Sequence, residues 1–311
     1  LHMFNPTGAW PQGNSTMFTR SLAFAALAFF MFVQSGYAVI VHDGAKNDPA
    51  WQQEYLAVGQ KYDSVVAMFG YDGTKWQNIG SGVVISPNHV IGAAHSALFN
   101  NGALFERYGM ATGNNLYTDC WGSYETTTVS VIPEYTEVIK SPDMAIWTFD
   151  KIIEDVTPAT LHRGSDTAKL GSVLDLASFG MYGYPSTGTI ALDGAKRGCQ
   201  DRFWQIGNEF YGAGSDQLIM AFDFPGDPDY QHLGGMSCSY DSGGGWFTDG
   251  QLMAVNGYHL GTYQYGSSGG TSISRHVDWI DSVISVPEPS TIVLLATGAA
   301  GLLAIWWRRC K

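Results

Sequence analysis

The sequence predicts an all-β protein built as an antiparallel sandwich or barrel. Short apolar or alternating runs recur through the middle of the chain, at 64–69, 82–85, 126–132, 144–149, 172–179, 217–222 and 252–258. Turn residues punctuate them, as in Tyr71-Asp72-Gly73, Ser86-Pro87-Asn88 and Pro225-Gly226-Asp227-Pro228. No helical pattern lies between successive runs, which argues against the strand–helix alternation of a parallel sheet. Glycine stands at 38 residues and aromatics at 14%, a composition suited to many short strands joined by tight turns.

Taken in chain order, residues 1–16 are polar and without pattern, and read as an upstream extension. From Met17 the pattern changes. Arg20 supplies a basic start, 22–33 an apolar run, and Gly36-Tyr37-Ala38 small residues three and one before a cut. This predicts a signal peptide over 17–38 with cleavage after Ala38. The segment 50–61 holds good helix formers and is expected as a short helix. The β runs follow, and a body split into two barrels would divide near 152–161. A second helix is expected over 274–284, because Val277, Ile280, Val283 and Ile284 fall on one face. The domain that must fold is therefore 39–286, long enough to bury a substantial core. No internal repeat is visible.

Beyond it, Val286-Pro287-Glu288-Pro289-Ser290 precedes an apolar stretch over 291–307 that ends in Trp306-Trp307 and then Arg308-Arg309-Cys310-Lys311. The stretch is near the lower length limit for a membrane-spanning helix, and the arginines would hold its end in the cytoplasm. The order of the three parts over 287–311 closely resembles the PEP-CTERM sorting signal of Gram-negative bacteria. That resemblance implies transient inner-membrane anchoring, processing by signal peptidase and an exosortase-like enzyme, and a body delivered to the periplasm, cell surface or extracellular matrix.

Composition narrows the function. A formal charge of −12 gives phosphate backbones no basic surface and argues against nucleic acid as a partner. The histidines show no metal-ligand spacing, and the cysteines form no CxxC pair, so no metal or cofactor is expected. Export allows one disulfide among Cys120, Cys199 and Cys238, with the pairing left open.

Three local patterns carry chemistry. In Gly82-Val83-Val84-Ile85-Ser86-Pro87-Asn88-His89-Val90-Ile91-Gly92-Ala93-Ala94-His95, two strands end on small residues and a histidine. Ser141-Pro142-Asp143-Met144-Ala145-Ile146 places an aspartate at the mouth of a buried strand. Cys238-Ser239-Tyr240-Asp241-Ser242-Gly243-Gly244-Gly245 sets a serine among flexible glycines. Serine is a poor nucleophile alone. It needs a base, and the base needs an orienting carboxylate, which makes Ser242, His95 and Asp143 a candidate triad.

Ala93-Ala94-His95, Asp143-Met144-Ala145-Ile146 and Asp241-Ser242-Gly243-Gly244, in this order, resemble the His, Asp and Ser motifs of the chymotrypsin/trypsin-like serine proteases. The segment 273–280 resembles that family's closing helix. The resemblance implies two six-stranded antiparallel β-barrels with a short C-terminal helix, and a serine endopeptidase acting on protein or peptide substrates through an acyl-enzyme. It assigns the oxyanion hole to the N–H groups of Tyr240 and Ser242. It puts Met236 at the base of the substrate pocket and Tyr258 and His259 on its wall, which implies cleavage after apolar or small residues. The chain departs from the pattern in three places: Tyr240 stands where the family has glycine, Ser96 where a cysteine is common, and Gly245 where proline is usual. No Ile-Val-Gly-Gly segment is evident to pair with Asp241; Val39-Ile40-Val41-His42 is only a weak likeness. Two alternatives stay open: a pseudoprotease that binds without cutting, and a structural surface or matrix protein.

Overall fold

The computed structural model describes residues 39–285, except 99–101, 119–120, 137–140, 155, 209–212 and 262–264. The expected signal peptide and the expected hydrophobic helix after 290 lie outside the described residues. The chain enters on strand β1 (Val39–Val41), fully buried, and then forms α1 (Pro49–Gln60). Pro49 begins this helix and the Asp48 carboxylate caps it, accepting from the N–H groups of Ala50 and Trp51.

The first barrel follows: β2 (Val65–Tyr71), β3 (Trp76–Ser86), β4 (His89–Gly92), β5 (Arg107–Ala111), β6 (Trp121–Thr126), β7 (Thr128–Val131) and β8 (Ala145–Thr148). Their order in the sheet is β6-β5-β2-β3-β4-β8-β7. The two edges, β6 and β7, are joined through Thr127 alone, so the sheet closes on itself and the two act as one bent strand of a six-stranded barrel.

After a crossing over 149–159 come β9 (Thr160–Leu161) and β10 (Val173–Ser178), the ribbon β11 (Tyr182–Tyr184) and β12 (Gly188–Ala191), then β13 (Arg197–Asn208), β14 (Ala213–Ala221), β15 (Gly235–Met236), β16 (Gly245–Thr248), β17 (Gln251–Leu260) and β18 (Ser267–Ser272). The second sheet runs β16-β10-β13-β14-β18-β17-β9. Pairing of β16 with β17 closes its six antiparallel strands, and β9 adds a parallel fringe on β17. A small third sheet, β12-β11-β1-β15, seats the entering strand beside the second barrel. Helix α2 (Val277–Ile284) closes the domain with Ile280 fully buried and Val283 and Ile284 packed on the core.

Strand alternation explains the continuous apolar runs. Val66 and Met68 of β2 join a cluster made of first-barrel residues, with Val84, Val90, Tyr108 and Trp147. Their neighbours Val65 and Ala67 join a cluster shared with the second barrel through Phe247, Leu252 and Val255. Both faces of the strand are thus dry, and period-2 polarity disappears. Cys199 and Cys238 are buried free thiols. Every pairing among Cys120, Cys199 and Cys238 needs one of these two, so the disulfide that export permits is not formed among them; each thiol fills core volume as a small apolar group. Cys120 lies outside the described residues.

Candidate active site

Register builds the first half of the site. Gly92 at the end of β4 pairs with Ala145 at the start of β8. His95, in the short turn Ala94–Ala97 after β4, therefore comes level with Asp143, just before β8. Ala93 and Ala94 are fully buried, and their small side chains let the turn sit tight against the barrel. His95 Nδ1 lies 2.6 Å from Asp143 Oδ2, and the His95 backbone N–H donates to Oδ1 at 2.9 Å. The Asp143 N–H in turn donates to Thr271 Oγ1 of the second barrel at 3.0 Å.

Ser242 arrives from the other barrel, on the turn between β15 and β16. Both halves of the molecule pin that turn. The Ser81 N–H donates to the Ser242 carbonyl at 2.8 Å, and the Gly243 N–H to the Asn256 carbonyl at 2.7 Å. Gly243 has φ +84°, and a Cβ there would lie 2.0 Å from the Ser81 carbonyl oxygen, so only glycine fits. The result brings Ser242 Oγ to 2.8 Å from His95 Nε2. Asp143 is fully buried, whereas the His95 side chain is 29% exposed. Asp143, His95 and Ser242, separate in sequence, thus form one continuous hydrogen-bonded chain.

Tyr240 sits in the left-handed region at φ +69°, with its side chain turned out and 41% exposed. Among the described residues, the N–H groups of Tyr240 and Ser242 meet no protein acceptor, while the Ser239 carbonyl is occupied by the Met181 N–H at 2.8 Å. A bulky residue at positive φ is strained by about 1–2 kcal/mol, partly offset by the extra freedom glycine has when unfolded. Tyr240→Gly is therefore expected to stabilise the fold by roughly 1 kcal/mol in urea melts. It should leave any peptidase kcat/KM within a few-fold, since the backbone already holds the shape glycine would take. A large rate gain would mean that tyrosine had been obstructing the turn.

Asp241 is satisfied without an amino terminus. Its carboxylate accepts from Ser178 Oγ at 2.6 Å, the Gly180 N–H at 2.9 Å and the Cys238 N–H at 2.7 Å. Gly180 allows the approach, because a Cβ there would fall 2.1 Å from Asp241 Oδ1. Burial pushes the Asp241 carboxyl up to about 6 against these hydrogen bonds. Burial pulls the His95 ring down, but the charge of Asp143 and its hydrogen bond outweigh it and the net shift is upward. A raised carboxyl in the folded state works against stability as pH climbs through about 6. The His95 contribution runs in the same direction: it is present at low pH and is lost as pH rises through its raised folded value.

Beside Ser242 lies a cleft of about 240 Å³, lined among others by Ser237, Cys238, Asn256, Gly257, Tyr258 and His259. Tyr258 and His259 both line this cleft. Burial pushes the Tyr258 hydroxyl up and the His259 ring down. Met236 does not line the cleft. Its side chain is fully buried with Ile40, Phe222 and Cys238, and the lining begins one residue later, with Ser237, Cys238 and Ser239. The sequence reading missed Ser237 and Asn256; neither belongs to a motif, and only the folded turn brings them here. Among the described residues, no group of three His, Cys, Asp or Glu side chains could hold a metal ion.

Two six-stranded barrels meeting at this site define the trypsin-like serine protease fold. Among solved structures, the chain resembles the scabies mite inactivated protease paralogue S-I1, with 19% identity over 74% of this chain and 98% of that one and a TM-score of 0.55. It also resembles neuropsin, a serine protease expressed in the limbic system of mouse brain, with 16% identity over 73% and 96% of the two chains and a TM-score of 0.56. At such identities the likeness speaks for the fold. Residues 285–309 match the family model of the PEP-CTERM protein-sorting motif, which marks export in Gram-negative bacteria and processing by an exosortase-like enzyme. No curated protein matches the chain in sequence. Among the described residues, no helix is long and apolar enough to cross a membrane.

Proposed function

We propose that this chain is an exported serine endopeptidase. The hydrogen-bonded chain from Asp143 through His95 to Ser242 carries the reading. Ser242 Oγ attacks the scissile carbonyl carbon as His95 Nε2 takes its proton. Asp143 fixes the ring tautomer and stabilises the imidazolium. The N–H groups of Tyr240 and Ser242 receive the oxyanion, which they can do because neither is already spent on a protein acceptor. His95 then gives the proton to the leaving amine, and water resolves the acyl-enzyme by the same route. The cleft offers uncharged side chains and His259, with no carboxylate to pair with lysine or arginine, so cleavage follows apolar or small residues. The body is released by cuts after Ala38 and near Pro287-Glu288-Pro289, and ends in the periplasm, surface or matrix.

A fluorophosphonate probe tests the reaction directly. Folded wild-type protein should be labelled on Ser242, and a peptide library should be cut chiefly after apolar or small residues. Absence of labelling would favour the binding-only alternative, and dominant cutting after lysine or arginine would refute the pocket assignment. The pH profile gives a separate check. The site needs neutral His95 and ionised Asp241, so log(kcat/KM) should climb with a slope approaching about two below pH 6, about one from there to the raised His95 value, and flatten only above that. A slope of one throughout would remove Asp241 from the account.

A further inference from the structure

Both oxygens of the Asp143 carboxylate bond to His95 and, among the described residues, to nothing else. No other side chain steers the carboxylate, so its place is set by the backbone that carries it. That backbone is gripped on both sides of Pro142. Gln217 Nε2 donates to the Ser141 carbonyl at 3.2 Å, and the Asp143 N–H donates to Thr271 Oγ1 at 3.0 Å. Gln217 and Thr271 stand opposite one another on β14 and β18, and Gln217 Nε2 donates to Thr271 Oγ1 at 3.3 Å. The proline between the two grips has a fixed φ, which leaves little slack where Asp143 joins the chain.

Gln217 is fully buried. Its amide nitrogen also donates to Asp216 Oδ2 at 3.3 Å, while Oε1 has no hydrogen-bond partner among the described residues. Turning the amide over would press its oxygen against the Ser141 carbonyl and the Asp216 carboxylate, so the nitrogen belongs where it is. An orphan buried oxygen works against stability, and a methionine would fill similar volume without one. The glutamine is thus a poor residue for packing and a good one for gripping Ser141 and Thr271. We propose that Gln217, with Thr271 as its partner, is a positioning residue that reaches from the second barrel to hold Asp143 against His95; this rests on the reading of Asp143, His95 and Ser242 as a catalytic chain. The other titratable groups near Asp143 are Tyr135 and Tyr258. Burial pushes both hydroxyls up and keeps them uncharged around neutral pH, so neither competes for the charge that His95 feels. Asp216, on the other side of Gln217, lies 3.6 Å from His276.

Proton NMR of the full chain in detergent, with ¹⁵N-labelled histidine, tests the grip without any turnover. The wild-type His95 ring should titrate above the ordinary histidine value. Gln217→Met and Thr271→Val should each lower that midpoint by about half a pH unit or more, because Asp143 is freer to leave the ring. Thr271→Ser keeps the hydroxyl and should retain the wild-type midpoint. In peptide hydrolysis the first two variants should lose about tenfold in kcat with KM within about twofold, and the acid limb of kcat/KM should move down with the midpoint. Should Gln217→Met not fold, the contrast between Thr271→Val and Thr271→Ser decides. An unchanged midpoint in either folded loss variant, whatever its urea stability, overturns the proposal and leaves the pair a packing contact. Fluorophosphonate labelling keeps the two questions apart: an unlabelled wild type would sink the catalytic reading, while the midpoints would still decide the grip on Asp143.

Discussion

Replacing Ser242 with alanine is expected to lower kcat by about four to six orders of magnitude while the urea midpoint barely moves. The hydroxyl's one protein contact of note is His95 Nε2, at 2.8 Å. The turn itself is held by backbone groups, through Ser81 and Asn256, that alanine keeps. His95→Ala should cost a similar factor, and the double variant little more, because members of one proton-transfer chain fail as a unit. Asp143→Asn should cost about ten-thousandfold. An amide at Oδ2 would present N–H to His95 Nδ1 and hold the ring in the tautomer that cannot accept the serine proton. Active-site titration with a fluorophosphonate checks the series. Additive losses, or substantial labelling of Asp143→Asn, would mean the three groups do not act together.

The largest stability effect is expected at Trp246. Its side chain is fully buried in the second-barrel cluster with Leu174, Leu176, Phe203 and Met253. Trp246→Ala should cost about 3–5 kcal/mol, measured by urea denaturation. The indole also works outward toward the site. Its Nε1 donates to Asn256 Oδ1 at 3.2 Å, and Asn256 Nδ2 donates to the Asp241 carbonyl at 3.2 Å. Trp246→Phe, which keeps much of the volume, leaves that Asn256 oxygen unpartnered. It should cost about 1–3 kcal/mol and reduce probe labelling by loosening the turn that carries Ser242. A phenylalanine variant with native stability but reduced labelling would separate the indole's positioning of Asn256 from its packing.

Much of this was legible because the chemistry sits in short contiguous segments. Ala93-Ala94-His95 and Asp241-Ser242-Gly243-Gly244 each impose a local backbone shape that few other residues could satisfy, so their composition betrays them. Helix α2 was readable from one apolar face. Strand Arg197–Asn208 was not among the expected runs, because Arg197, Gln200, Asp201 and Arg202 interrupt its apolar signal. Arg197 and Asp201 are nonetheless buried, through contacts that only tertiary structure creates. Met236 was misplaced for a related reason: counting back from Ser242 gives sequence distance, while the pocket depends on which side chains the fold leaves facing it. The state of Cys199 and Cys238 was beyond reach, since pairing depends on how side chains meet in space. Tyr240 could be flagged as a departure, but whether its backbone would tolerate the left-handed region was decided by the surrounding turn.

The seam between the barrels has a consequence in time. His95 and Asp143 belong to one half, Ser242 to the other, and the Ser81–Ser242 and Asp143–Thr271 hydrogen bonds are sewn only when the halves meet. Until the halves meet, the chain carries these groups on separate pieces. On the proposed function, hydrolytic power is the last property the molecule acquires, so the machinery that exports it is never exposed to a working blade.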